Sequence, residues 1–228
     1  HLVTGRLYRS GQHSSATPAD LGLMQAMGIA CCVDLRGTSE RESAPCARIP
    51  SCELIVADGE TAEMAPHLEA AQALDAAAAR RTLTGRYATL PFRPALTQAY
   101  GAYLRMLARS DRASVVYCSA GKDRTGLLVA LVHTMLGVHE DDVMADYCLT
   151  NSVECDEGRI EHLRKELSKR FGPMSTEAAR VVLSVEPAYL AAAFHAIDER
   201  YTSLDRYLQH ELGITPSLRE AIAAKLIA

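Results

Sequence analysis

Apolar positions along the chain fall into short β-branched or aromatic runs and longer stretches with helical spacing, and the two kinds alternate. Residues 29–35, 52–57 and 114–118 read as strands, with 6–9 as an edge strand. Thr17-Pro18 pairs an N-cap with a proline in the first turn and opens a helix that Gly28 stops. A helix is expected up to about residue 109, another over 127–136, and more over 141–150, 159–170, 187–201 and 204–212. Thr215-Pro216 opens the last. Residues 60–81 are rich in Ala, Glu and Leu, with Met64, Leu68, Ala71 and Leu74 near helical spacing, and 85–94 read as a loop punctuated by Gly and Pro. Strands alternating with helices predict an α/β fold: a small, mostly parallel central sheet covered by helices, with its site at the C-terminal edge of the strands.

Composition narrows the picture. A chain of 228 residues, 48% of them hydrophobic, can bury one full core, so residues 1–228 are expected to form a single domain. A formal charge of −4 argues against a general binder of nucleic acid or of anionic membranes. No run approaches the ~20 apolar residues of a membrane span. Seven cysteines, without metal-type spacing, point to a reducing compartment and so to the cytoplasm. Secretion is the alternative, because the sequence opens at His1 without Met. Cys31 and Cys32 adjoin within a strand, where neighbouring side chains face opposite ways, and both read as core. His133, His139, His162, His195 and His210 show no paired ligand spacing, so neither a metal nor any other cofactor is inferred.

The chemistry concentrates at residues 117–126, Tyr-Cys-Ser-Ala-Gly-Lys-Asp-Arg-Thr-Gly. Five residues separate Cys118 from Arg124, and the segment joins the end of a strand to the start of a helix. There, free amides and the positive end of the helix dipole favour an anion. Gly121 and Gly126 permit a curled backbone, so Ser119, Ala120, Gly121, Lys122, Asp123 and Arg124 can surround a phosphoryl group. Arg124 can grip two phosphate oxygens with its planar fork. Cys118 faces phosphorus from below, and thiolates in such electropositive positions have pKa values of about 3.5–7.5 rather than about 8.5. The hydroxyl of Thr125 can donate to that sulfur or help to expel it from a phosphocysteine. An inert packing cysteine would need none of these neighbours.

This loop resembles the cysteine-dependent tyrosine phosphatase signature, His-Cys-x5-Arg-Ser/Thr. Its Ala-Gly-Lys-Asp-Arg-Thr-Gly form is similar to that of an atypical bacterial subgroup. The blocks Leu7-Tyr8-Arg9-Ser10-Gly11, Val33-Asp34-Leu35-Arg36 with Glu40-Arg41, Ala145-Asp146-Tyr147 and Glu186-Pro187-Ala188-Tyr189-Leu190 resemble the same subgroup, so the likeness spans nearly the whole chain. It implies hydrolysis of phosphotyrosine through a phosphocysteine, with breadth toward phosphoserine, phosphothreonine and phosphoinositides, and no cofactor. The substrate partner is then a phosphorylated protein or a phosphoinositide. One departure is that Tyr117 stands where the signature has histidine.

The acid is the least determined part. Between Asp75 and Asp111 there is no Asp or Glu, and Asp111 opens the Cys118 strand at its far end, roughly 20 Å away. Asp123 remains, the residue to which the resemblance also gives this role, with Asp34 and Asp58 in reserve on the same sheet edge. Asp34 and Arg36 read equally well as a structural ion pair or as catalytic support, and Arg9 and Ser10 as structural. Lys122, placed at the rim of the loop, would suit highly anionic head groups, so a phosphoinositide or inositol-phosphate phosphatase is the alternative reading. A phosphoprotein-binding module without turnover is the reading from another class. Residues 60–81 are either a packed surface helix or a mobile lid hinged at the 85–94 loop, lid and hinge together spanning 60–94.

Overall fold

The computed structural model describes residues 1–60, 66–72, 75–154 and 156–228. In chain order the elements are β1 (Leu7–Ser10), α1 (Pro18–Ala26), β2 (Ile29–Asp34), α2 (Thr38–Ser43), β3 (Glu53–Val56), α3 (Pro66–Ala71) and α4 (Ala76–Thr89). A 3-10 turn, Leu90–Phe92, leads to α5 (Pro94–Arg109), β4 (Ala113–Tyr117), α6 (Asp123–Met135), α7 (Glu140–Cys148) and α8 (Thr150–Glu154). Helices α9 (Glu157–Phe171), α10 (Thr176–Leu183), α11 (Pro187–Tyr201), α12 (Leu204–His210) and α13 (Pro216–Leu226) complete the chain.

The four strands pair in parallel, in the order β1-β4-β2-β3. Ser10, Tyr117, Asp34 and Val56 lie side by side in the register, so all four strands end at one edge. Alternation divides the sheet into two faces. Cys31, Val33, Leu35, Val116 and Cys118 belong to the main core with α5 and α6. Cys32, Ala113, Val115 and Tyr117 belong to a smaller cluster joined by Leu21 and Met24 of α1. Cys31 and Cys32 therefore do fill opposite faces, as the strand period of two requires.

Helix α5 buries Leu96, Ala99, Tyr100, Tyr103, Leu104 and Leu107 along one stripe, whereas α6 is buried almost all round. Thr17 caps α1 in a capping box with Asp20, as the Thr-Pro signal predicted. Three local expectations differ. Residues 38–43, expected as a polar stretch, form α2, and α10 was not foreseen. The loop and hinge expected over 85–94 is instead the end of α4 and the turn after it, with Gly85 inside the helix. Leu83, Tyr87, Leu90 and Pro91 are buried there, which fixes this stretch in the core. The lid expected over 60–94 includes residues 61–65 and 73–74, among them Met64 and Leu74, which lie outside the described residues. Among the described residues, no single helix is long and apolar enough to cross a membrane.

Candidate active site

The central strand β4 delivers Cys118 to the sheet edge, on the face shared with α5 and α6. The chain then curls through residues 119–122 and enters α6 at Asp123. Gly121 has φ of +70°, and a Cβ there would overlap the Ser10 carbonyl, so this close approach requires glycine. Arg9 stitches the outside of the curl to its surroundings. Its Nη2 donates to the Gly121 carbonyl at 3.0 Å and to Thr150 Oγ1 at 2.9 Å, while Nη1 faces the Asp146 carboxylate at 3.5 Å. Ser119 and Ala120 are half-buried, and Cys118, Gly121, Lys122, Asp123, Arg124 and Thr125 are buried. The Thr125 hydroxyl has no hydrogen-bond partner among the described residues, which leaves its donor available within the loop.

Arg124 is held by a residue that the sequence reading did not assign. Its Nη2 donates to Glu40 Oε1 at 2.8 Å, its Nη1 donates to Glu40 Oε2, and Nη1 also reaches the Leu35 carbonyl at 3.2 Å. Ser119 Oγ donates to Glu40 Oε1, and the Gly37 amide donates to Oε2 at 2.9 Å. Burial alone would raise the Glu40 carboxyl, but Arg124, Ser119 and the Gly37 amide outweigh it and hold it down at about 2. Glu40 is the third residue of α2, where a carboxylate bonds back to the helix N-terminus. The Glu40-Arg41 block marks the segment, but its role rests on a short helix and on a contact 84 residues distant, which local pattern does not carry.

Asp123 lies in the first turn of α6 and is buried. Tyr87 Oη donates to its Oδ1 at 3.0 Å, and Lys122 Nζ lies 3.2 Å from the same oxygen. Lys122 is not at the rim: it is 2% exposed, and its ammonium donates to the Ser184 carbonyl at 3.2 Å. The reason is its place between the curl and α6, which turns the stem inward toward the loop after α10.

The reserve acids fare differently. Asp34 is on the face opposite Cys118 and is committed to Arg36 through Oδ2···Nη2 at 2.7 Å, Oδ1···Nε at 2.9 Å and the Arg36 amide at 3.0 Å. Arg36 also donates to the Ala44 carbonyl at 2.7 Å and to Cys46 Sγ at 3.2 Å. Of the two readings for this pair, the structural one describes what is seen. Asp58 is exposed beyond β3, two strands from β4 and so about 10 Å away across the sheet. Tyr117 points to the same face as Asp34, with His13 edge-on to its ring at 4.4 Å between centroids and the Arg36 guanidinium 5.8 Å from the ring centre. Burial, foremost, lowers the basicity of His13, the ring packed edge-on against Tyr117.

A cysteine at a strand end, a curl of amides at a helix N-terminus and a locked arginine define a phosphate-handling, cysteine-dependent hydrolase. A family model described as the tyrosine phosphatase family matches residues 1–228. The chain is 32% identical to the triple specificity protein phosphatase PtpB of Mycobacterium tuberculosis, over 94% of this chain and 88% of that protein. It is 31% identical to a candidate tyrosine-protein phosphatase of Cupriavidus necator, over 92% of this chain and 75% of that one. The chain belongs to the tyrosine phosphatase family. It is a tyrosine phosphatase, a hydrolase of phosphoric monoesters.

Proposed function

We propose that Cys118 attacks the phosphorus of a protein phosphotyrosine in line, displacing the tyrosyl oxygen and forming a phosphocysteine that water then cleaves to inorganic phosphate and free thiolate. Loop amides of residues 119–124 and the Arg124 guanidinium hold the equatorial oxygens. Asp123 protonates the leaving oxygen and then takes the proton from the attacking water. Thr125 donates to the sulfur as it departs. The observation that carries this reading is the pairing of Cys118, just past the C-terminal end of β4, with an Arg124 already fixed by Glu40 and the Leu35 carbonyl. A pre-aimed guanidinium has little orientation left to lose when phosphate arrives.

The mycobacterial relative is named a triple specificity protein phosphatase, which supports breadth beyond a single class of phosphorylated substrate. The phosphoinositide reading rested on the family resemblance and on Lys122 as a rim cation, and the buried ammonium removes the second of these supports. Six cysteines among the described residues are free thiols, which supports a reducing compartment such as the cytoplasm.

Steady-state hydrolysis of p-nitrophenyl phosphate by the wild type, with Cys118→Ser as control, tests the reaction. The expected result is turnover that the variant abolishes. Equal activity in both would remove Cys118 from the mechanism. Comparison of kcat/KM on phosphotyrosine, phosphoserine and phosphothreonine peptides with soluble phosphoinositides then decides the substrate class. A clear preference for the inositol compounds would overturn the protein-phosphatase reading.

A further inference from the structure

A buried file of phenols ends on Asp123. Tyr147, from α7, donates its hydroxyl to Tyr87 Oη at 2.7 Å, and Tyr87, from α4, donates to Asp123 Oδ1 at 3.0 Å. Tyr87 is fully buried and Tyr147 is 1% exposed, and their rings meet edge-on at 6.3 Å. The direction of these bonds is set by inventory. Whether Asp123 is ionised or carries its proton on Oδ2, its Oδ1 can only accept, so the single hydrogen of Tyr87 points at it, and Tyr87 in turn accepts from Tyr147. Burial, foremost, keeps both phenols neutral, with the negative charge of Asp123 adding to the effect.

We propose that Tyr87, supported by Tyr147, is a positioning residue that fixes the side chain of Asp123 and confines its transferable proton to Oδ2. This rests on Asp123 as the acid. The argument is one of occupancy: Oδ1 already faces two donors, Tyr87 Oη and Lys122 Nζ at 3.2 Å. A proton placed on Oδ1 would confront them both, so the proton that Asp123 delivers sits on the other oxygen. Packing alone does not call for this arrangement. A pair of phenylalanines would fill the same volume without placing hydroxyls in the core.

The experiment is a double-mutant cycle of Tyr87→Phe and Asp123→Asn, with kcat/KM measured on aryl phosphates of graded leaving-group acidity. Loss of one hydrogen bond that positions the acid, worth about 0.5–1.5 kcal/mol, predicts up to about a ten-fold fall for Tyr87→Phe on phenyl phosphate, shrinking toward none for the most acidic phenols. In the Asp123→Asn background the same substitution should cost less than about two-fold, because the two residues act as one unit. Tyr147→Phe should give a smaller loss with the same leaving-group trend, and it keeps the test open if Tyr87→Phe folds poorly. Equal losses in both backgrounds, or losses independent of the leaving group, would reduce Tyr87 to packing and overturn the inference. A leaving-group-independent defect in Asp123→Asn alone would instead remove Asp123 as the acid, and the inference with it. Absence of turnover in the wild type would mark failure of the phosphatase reading itself.

Discussion

At the scale of single residues, the Glu40 carboxylate decides how well the site is prepared. It touches Arg124 with both oxygens, so the guanidinium is oriented before any substrate binds. Glu40 is half-buried, and losing its charge-assisted hydrogen bonds to Arg124 costs about 1.5–3 kcal/mol, so Glu40→Gln should lower kcat/KM by about 10- to 150-fold on p-nitrophenyl phosphate. The pH dependence has a definite sign. The carboxyl falls from an ordinary 4.5 to about 2 on folding, so its stabilisation is complete above about 4.5 and is lost as pH drops toward 2. Its size at neutral pH is of order 3 kcal/mol. Urea unfolding of wild type and Glu40→Gln should therefore differ most at pH 7 and converge near pH 2; a constant gap would mean that the effect is steric. Glu40 illustrates what the sequence hides. Cys118, Arg124 and Asp123 are neighbours in sequence and announce themselves by spacing, whereas Glu40 reaches Arg124 only because β2 lies beside β4.

At the scale of elements, the curl between β4 and α6 is held from outside by β1 and the junction of α7 and α8. Arg9 carries that link through the Gly121 carbonyl and Thr150. Arg9→Ala would leave the buried carbonyl unsatisfied, which costs about 1–3 kcal/mol. A lower urea midpoint with an unchanged slope is the expected result, together with weaker phosphate inhibition as the curl loosens. Tyr117 belongs to a different element contact. Because successive side chains of β4 alternate, its ring lies on the face away from Cys118, among Cys32, Ile49 and His13. Tyr117→His should consequently change kcat/KM by less than a few-fold. A large gain would show that the departure from the family histidine weakens the site. Alternation was readable in advance, and so were β2, β4, α5 and α6, whose apolar patterns are long or strict. Helices α2 and α10 were not, since short helices depend on caps and neighbours more than on their own periodicity.

At the scale of the whole molecule, the parallel sheet collects four strand ends at one edge, and the loop, the Glu40 helix and the Arg9 clamp all gather there. A tetrahedral or trigonal oxyanion binding at this edge should tie β1, β2 and β4 together. Vanadate at a hundred times its Kd should raise stability by about 2.7 kcal/mol and block turnover, whereas EDTA should leave turnover intact because Arg124 and the amides supply the positive charge. Loss of activity on chelation, restored by a divalent metal, would contradict the mechanism. The parallel α/β class was legible in the sequence alone because it depends on strand and helix periodicity, and the family because its motif blocks resemble those of known members; the proposed nucleophile Cys118 and the proposed phosphate loop were read there from local spacing. Tertiary structure alone decided that Glu40 locks Arg124, that Lys122 turns inward, that Asp34 is spent on Arg36 and that Tyr87 braces Asp123. Except for Asp34 and Arg36, two residues apart and offered by the sequence as one of two readings, these facts join residues 36 to 84 positions apart, and local pattern carries no information about which side chains the sheet order and helix packing bring within hydrogen-bond reach.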